Sequence, residues 1–109
     1  MEKYEIIITI NAQNQIKSIC NYIAVKLYNQ NAALSFLELL QKEIKTIALF
    51  PEAYPFIDRE PWKSKSVRRT IVKSFIVYFL FNKELNRISV LAVIYGKRDQ
   101  LQELKKLDF

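Results

Sequence analysis

Between Pro61 and Lys83 the chain carries six cations (Lys63, Lys65, Arg68, Arg69, Lys73 and Lys83) and no acid, and a second basic pair, Lys97-Arg98, comes after its only glycine, Gly96. Arginine presents a planar fork of donors that grips phosphate or carboxylate oxygens in pairs, whereas lysine supplies a movable point charge or a proton. Tyr78 and Tyr95 lie among these cations, and a phenol ring there can stack on a base or relay a proton. The chemistry on offer is therefore recognition of an anion, with charge stabilisation as its extension. Arg68 and Arg69 are neighbours in a strand-like run, so they point to opposite faces and at most one serves a given site. Trp62, beside Lys63, reads equally as a packing anchor or a partner contact.

What is missing narrows the chemistry further. The 109 residues contain no histidine, one cysteine and one glycine. Ser-His-Asp and Cys-His nucleophile systems, a histidine general base and a histidine-bearing metal site are excluded. Cys20 alone allows no internal disulfide and no CxxC pair. Gly96 alone allows neither a Walker loop nor a GxGxxG turn. No cofactor and no metal are expected.

The net charge of +6 is unevenly spread. Residues 1–60 carry six Lys/Arg against seven Asp/Glu, and residues 61–109 carry eleven against four. A one-sided positive field favours a polyanionic or acidic partner, the bland counterpart being a basic surface that merely solvates the fold. The start at Met1-Glu2-Lys3-Tyr4 shows no signal-peptide pattern, and no apolar stretch nears the ~20 residues of a membrane helix. A cytoplasmic location with no membrane contact is the expectation.

The elements that must position these side chains fit one domain over residues 1–109. Tyr4–Ile10 is β-branched and predicts a strand. Asn11 is placed to cap a helix whose stripe is Ile16, Ile19, Cys20, Ile23 and Leu27. Cys20 in that stripe reads as an inert thiol. After a break at Tyr28–Asn31, Asn31 caps a second helix with Ala33, Leu37, Leu40, Ile44 and Ile47 inward, widened by Leu34, Phe36 and Leu39, and Pro51 stops it. Residues 51–66 hold all three prolines and predict a loop. Val67–Lys73, Phe75–Asn82 and Ile88–Tyr95 predict three strands, with Phe75, Val77, Phe79 and Phe81 on one face and Ile88, Val90, Ala92 and Ile94 on the matching face of the next. The opposite faces are also apolar, which two helices on one side leave uncovered. Gly96 predicts a positive-φ turn, and Asp99–Leu107 a short last helix. The fold class is α+β: an N-terminal strand, a helical hairpin, a three-stranded antiparallel meander completing one sheet, and a short C-terminal helix.

In that order the residues resemble the RelE/ParE superfamily of toxins from type II toxin–antitoxin pairs, across nearly the whole chain. The similarity is carried by Ile19-Cys20-Asn21-Tyr22-Ile23-Ala24 in the first helix, Leu49-Phe50-Pro51 with Pro55 at the end of the second, Val67-Arg68-Arg69 opening a strand, and Val93-Ile94-Tyr95-Gly96-Lys97-Arg98-Asp99 closing the sheet. The resemblance implies a growth-inhibiting toxin and a cognate antitoxin, small, acidic and partly disordered, that winds over it. Surplus apolar sheet surface and a basic half fit such a partner.

Two activities divide the family. One branch cuts messenger RNA on the ribosome without metal. Here that would draw on Arg98, Arg69 and Arg68 for the phosphate, Lys97 or Lys73 for charge or a proton, and Tyr95 or Tyr78 for stacking or relay. The other branch poisons DNA gyrase by binding, and the same cations, with Lys63, Lys65 and Trp62, would form a contact surface for target or antitoxin. No tyrosine occurs after Tyr95, Leu104 stands six residues past Arg98, and Phe75 and Phe79 stand where nuclease members often have tyrosine. The Gly96-Lys97-Arg98-Asp99 ending is similar to the gyrase-poisoning branch, although Tyr95 replaces a frequent histidine. The resemblance thus leans slightly to gyrase poisoning, with the ribosome-dependent endoribonuclease as the alternative and an inactive antitoxin-binding module as a further one.

Overall fold

The computed structural model describes residues 4–107. Strand β1 (Glu5–Ile8) leads into helix α1 (Ile10–Asn21), a π-helical turn (Tyr22–Lys26) and helix α2 (Gln30–Leu49). A 3-10 turn (Pro51–Ala53) and an irregular segment come next, then β2 (Arg68–Val72), β3 (Phe75–Asn82), β4 (Arg87–Tyr95) and helix α3 (Gln100–Lys105). The four strands form one sheet in the order β1-β4-β3-β2, with β1 parallel to β4 and the other pairs antiparallel. The expected α+β order is therefore present.

Both helices are capped two residues before the asparagines that the sequence suggested. Thr9, not Asn11, caps α1: its hydroxyl accepts from Ala12 N at 3.1 Å while also reaching the Leu91 carbonyl at 3.2 Å. Pairing of β1 ends at Ile8 opposite Val90, which leaves Thr9 extended and free to cap. Asn29, not Asn31, caps α2 by accepting from Ala32 N at 3.0 Å. Tyr28 takes a left-handed turn (φ 50°) just before it and closes the break early.

The π-helical turn adds residues per turn and rotates the end of the helix off the apolar stripe. Ile16, Ile19, Cys20 and Ile23 pack on the core, but Leu27 is 55% exposed. In α2 the buried face is Ala33, Phe36, Leu40, Ile44, Ile47 and Ala48, and Leu34 and Leu39 face outward.

The helical hairpin covers one face of the sheet. Ala12, Phe36, Leu40 and Ile44 meet Val72, Val77, Val90 and Val93, and the same layer continues through Ile47, Ala48, Phe79 and Ile88. The other face is covered by the chain itself: Ile57, Trp62 and Val67 from the 57–67 segment and Leu104 from α3 bury Tyr78, Leu91, Ala92 and Ile94. The surplus apolar surface expected to need an outside cover thus has an internal one.

One expectation about β4 is overturned. Tyr78 pairs with Ala92 but Phe79 pairs with Val90, so Leu91 is an extra residue, a β-bulge. A bulge shifts the side-chain alternation by one. Ile88 and Val90 face the helices as expected, but Ala92 and Ile94 face α3, and Val93 takes the helix side.

Candidate functional site

The β2–β3 and β4–α3 connections meet at one end of the sheet. Gly96 N donates to Ser74 O at 2.8 Å. The positive φ belongs to Lys73 (55°), not to Gly96, whose backbone is ordinary. Glycine is needed there for approach: a Cβ on Gly96 would sit 3.1 Å from the Ser74 carbonyl oxygen. Lys73 and Lys97, each next in sequence to one of these bonded residues, flank the junction, and both are exposed.

Arg98 lies in the same turn. Its backbone N–H donates to Tyr95 O at 3.0 Å, and its guanidinium pairs with Glu103 on α3 at 3.4 Å while remaining 66% exposed. Lys106 also pairs with Glu103, at 2.7 Å. The hydrogen bond from Lys106, reinforced by the two cations' charge, holds the Glu103 carboxyl below the usual carboxylate range. The pair is lopsided, with the Glu103 side chain largely covered and the guanidinium open to solvent. Asp99 caps α3 by accepting from Gln102 N at 3.2 Å.

The choice between Arg68 and Arg69 is made by the sheet. Arg68 faces the α2 side, where its guanidinium donates to Tyr54 O at 2.6 Å and Glu52 O at 3.4 Å and stacks 3.9 Å over the Phe56 ring. It anchors the segment after α2, which pairs with β2 through Phe56 opposite Arg68. Arg69 faces the α3 side opposite Tyr78. It is exposed, and its guanidinium makes no hydrogen bond or ion pair with the described residues. Lys73 lies four residues further along the same edge, about 13 Å at ~3.3 Å per residue.

Tyr78 and Tyr95 differ. Tyr78 is 2% exposed and its hydroxyl donates to Gln100 Oε1 at 2.7 Å. Burial raises its pKa, with nearby Arg69 pulling the other way. Tyr95 is exposed at the corner, its ring tilted against Phe75 at 5.6 Å.

The structure therefore brings together Lys73, Lys97, Arg98 and Tyr95 around the Gly96–Ser74 junction, with Arg69 on the adjoining strand. It leaves out Arg68. Lys63 pairs with Asp58 at 3.1 Å in the 57–67 segment. Lys65 lines an open cavity of about 380 Å³ between that segment and α3, with Arg59 and Lys105. Trp62 is 4% exposed and packs beneath this segment. Gln100 escaped the sequence reading because a glutamine at a helix start carries no chemical signature. Cys20 is half-buried, and burial pushes its thiol pKa up, away from reactivity. Among the described residues no cluster of His, Cys, Asp and Glu is arranged to hold a metal, and no helix is long and apolar enough to cross a membrane.

A helical hairpin on one face of a four-stranded sheet, with a terminal helix after the last strand, is the frame on which these cations sit. Residues 6–100 match the sequence model of the ParE toxin of type II toxin–antitoxin systems, parDE, and the chain belongs to that family. Among solved structures it is similar to a chain of the chromosomal ParDE toxin–antitoxin system from P. aeruginosa, with a TM-score of 0.69 and 16% identity over 87% of this chain and 98% of that one. It is also similar to a chain of the RelBE2 toxin–antitoxin complex from Mycobacterium tuberculosis, with a TM-score of 0.57 and 10% identity over 86% of this chain and 99% of that one. At these identities the likeness is one of fold. No curated protein matches the sequence.

Proposed function

We propose that this toxin arrests growth by docking its cationic corner on an acidic target, in the manner of a gyrase poison, and is held inactive by a cognate antitoxin that is acidic and partly disordered. The observation that carries this reading is the placement of the exposed cations Lys73, Lys97 and Arg98 around the Gly96–Ser74 junction, with exposed Arg69 on the adjoining strand. Metal-free RNA cleavage needs a group that takes the 2′-OH proton and another that returns one to the leaving oxygen, each working best with a pKa near the operating pH. Beside the corner, the buried Tyr78 phenol is shifted upward and the Glu103 carboxyl downward, both away from neutrality. Guanidinium and ammonium groups on an exposed turn suit anion binding as they stand.

The test is inducible expression in a bacterium, combined with reporter-plasmid topology and primer extension on messenger RNA. Growth arrest with lost supercoiling and DNA breaks supports the proposal. New 5′ ends within translated codons would instead transfer the activity to the ribosome-dependent endoribonuclease. Arg69→Glu and Arg98→Glu should abolish arrest. Arg87→Glu, which breaks only the 2.8 Å pair with Glu5 at the far end of β4, should retain it. Unchanged growth with folded protein present would leave an inactive antitoxin-binding module.

A further inference from the structure

The turn that carries Lys97 and Arg98 is latched to the sheet by one side chain. Gln100 Nε2 donates to Tyr95 O at 2.8 Å and to Arg98 O at 3.0 Å, so its two amide protons bracket the turn. Its Oε1 accepts from the Tyr78 hydroxyl at 2.7 Å. Two carbonyls can only accept, which fixes the amide orientation and requires the phenol to be the donor. Tyr78, buried on β3 among Trp62, Leu91 and Leu104, ties the latch to the interior. No charged side chain reproduces this set: a carboxylate donates nothing and an ammonium accepts nothing.

We propose that Gln100 is the positioning residue of the cationic corner, holding Lys97 and Arg98 in a fixed relation to Arg69 so that one anionic surface meets all three. The proposal rests on the reading of the corner as the docking face. Its physical basis is preorganisation: a turn ordered before binding does not have to be ordered during it. Gln100 need not touch the target.

The experiment uses inducible expression of the full chain, with folded protein quantified, and the purified proteins for melting and amide hydrogen exchange. Gln100→Glu keeps the acceptor for Tyr78 and removes both donors, and Gln100→Met removes all three bonds at similar size. Each should require about tenfold more protein for half-maximal arrest, a loss typical of weakened preorganisation. Faster exchange should appear at the Gly96 and Arg98 amides, which donate to Ser74 O and Tyr95 O, while the central amides of β3 and β4 are unchanged. A merely structural role would instead speed exchange throughout the sheet and lower the melting temperature in step with activity. Gln100→Glu arresting growth like the parent overturns the proposal, as does parent-like exchange at Gly96 and Arg98 in that variant. Should substitution at 100 unfold the chain, Tyr78→Phe keeps the ring packing and removes only the anchor; parent-like arrest from it overturns the proposal equally. Arg98→Ala separates the two ideas. If it too arrests like the parent, the docking reading itself fails, and if it loses arrest while Gln100→Glu keeps it, only the positioning role fails.

Discussion

Gln15 Oε1 accepts the backbone N–H of Val93 at 2.8 Å, joining residues 78 apart in sequence. Just before it, Thr9 Oγ1 and Asn11 Nδ2 both donate to the Leu91 carbonyl, at 3.2 and 2.9 Å. Strand β1 stops pairing at Val90, so past that point the edge of β4 has no strand neighbour on this side. Three polar side chains at the start of α1 bond the β4 backbone just past the point where β1 ends. Unpaired buried backbone groups are costly, so the short β1 depends on this polar cluster to complete the edge of β4.

Gln15→Met preserves length and helix propensity but leaves the Val93 N–H without its acceptor. The expected loss is about 1–2 kcal/mol, a melting-temperature drop of roughly 4–9 °C for a domain this size. Urea denaturation and thermal melting measure it, and an unchanged midpoint would mean that water serves Val93 equally well.

Trp62 is a packing residue whose loss should register as stability. Trp62→Ala opens a void in the layer beneath α3 and should cost about 3–5 kcal/mol, a large share of the ~5–15 kcal/mol that holds a domain together. Lys63→Ala next door breaks only an exposed pair with Asp58 and should change stability by less than about 0.5 kcal/mol. Denaturation curves of the two variants side by side decide whether this neighbourhood packs or merely displays charge.

At the junction of the two turns the backbone demands are opposite. Gly96→Ala places a methyl 3.1 Å from a carbonyl oxygen that is already engaged by the Gly96 N–H, and should cost about 1 kcal/mol as the β2–β3 turn gives way. Lys73→Gly relieves a left-handed conformation and should stabilise by about 0.5 kcal/mol, while removing one corner cation. Equal effects of the same sign would contradict this division of labour.

Stability should decline on the alkaline side for a definite reason. Burial, and then the charge and hydrogen bond of Glu43, push Tyr54 up to about 12, and burial raises Tyr78. A phenol whose folded pKa lies above its unfolded value contributes stability that is complete below about pH 10 and falls as pH rises through the folded pKa. Melting temperatures between pH 9 and 12 should therefore fall, and Tyr54→Phe should flatten that fall. On the acid side the sign reverses for Glu103, whose depressed pKa gives stability that is lost as pH drops below about 4. Persistence of the full alkaline fall in Tyr54→Phe would exclude that phenol as its source.

Much of the fold was legible because it is periodic. The 3.6-residue stripe of α2, the bounds of β3, the proline after Phe50 and the short last helix all arise from local sterics and patterning, which need no knowledge of distant residues. The run of cations and the absence of histidine were likewise legible without reference to the fold, and the proposed anion recognition starts from them. The errors fall where local rules compete. Asn11 is as good a cap as Thr9 in isolation, and only the end of β1 pairing decides between them. The alternation in β4 reads cleanly through Ala92 and Ile94, and only pairing with β3 reveals the extra residue that reverses it.

The tertiary structure alone decided three things about the candidate site. It assigned Arg68 to an internal anchor and Arg69 to the exposed α3 side, a choice adjacent arginines cannot make without knowing which face is covered. It moved the strained backbone from Gly96 to Lys73, because close approach between two turns, not handedness, is what glycine serves there. It also gave Gln100 three partners from two strands and a turn. Sequence specifies what each residue can bind and how its neighbours repeat; which groups meet is fixed by long-range packing and by the need to pair every buried polar atom.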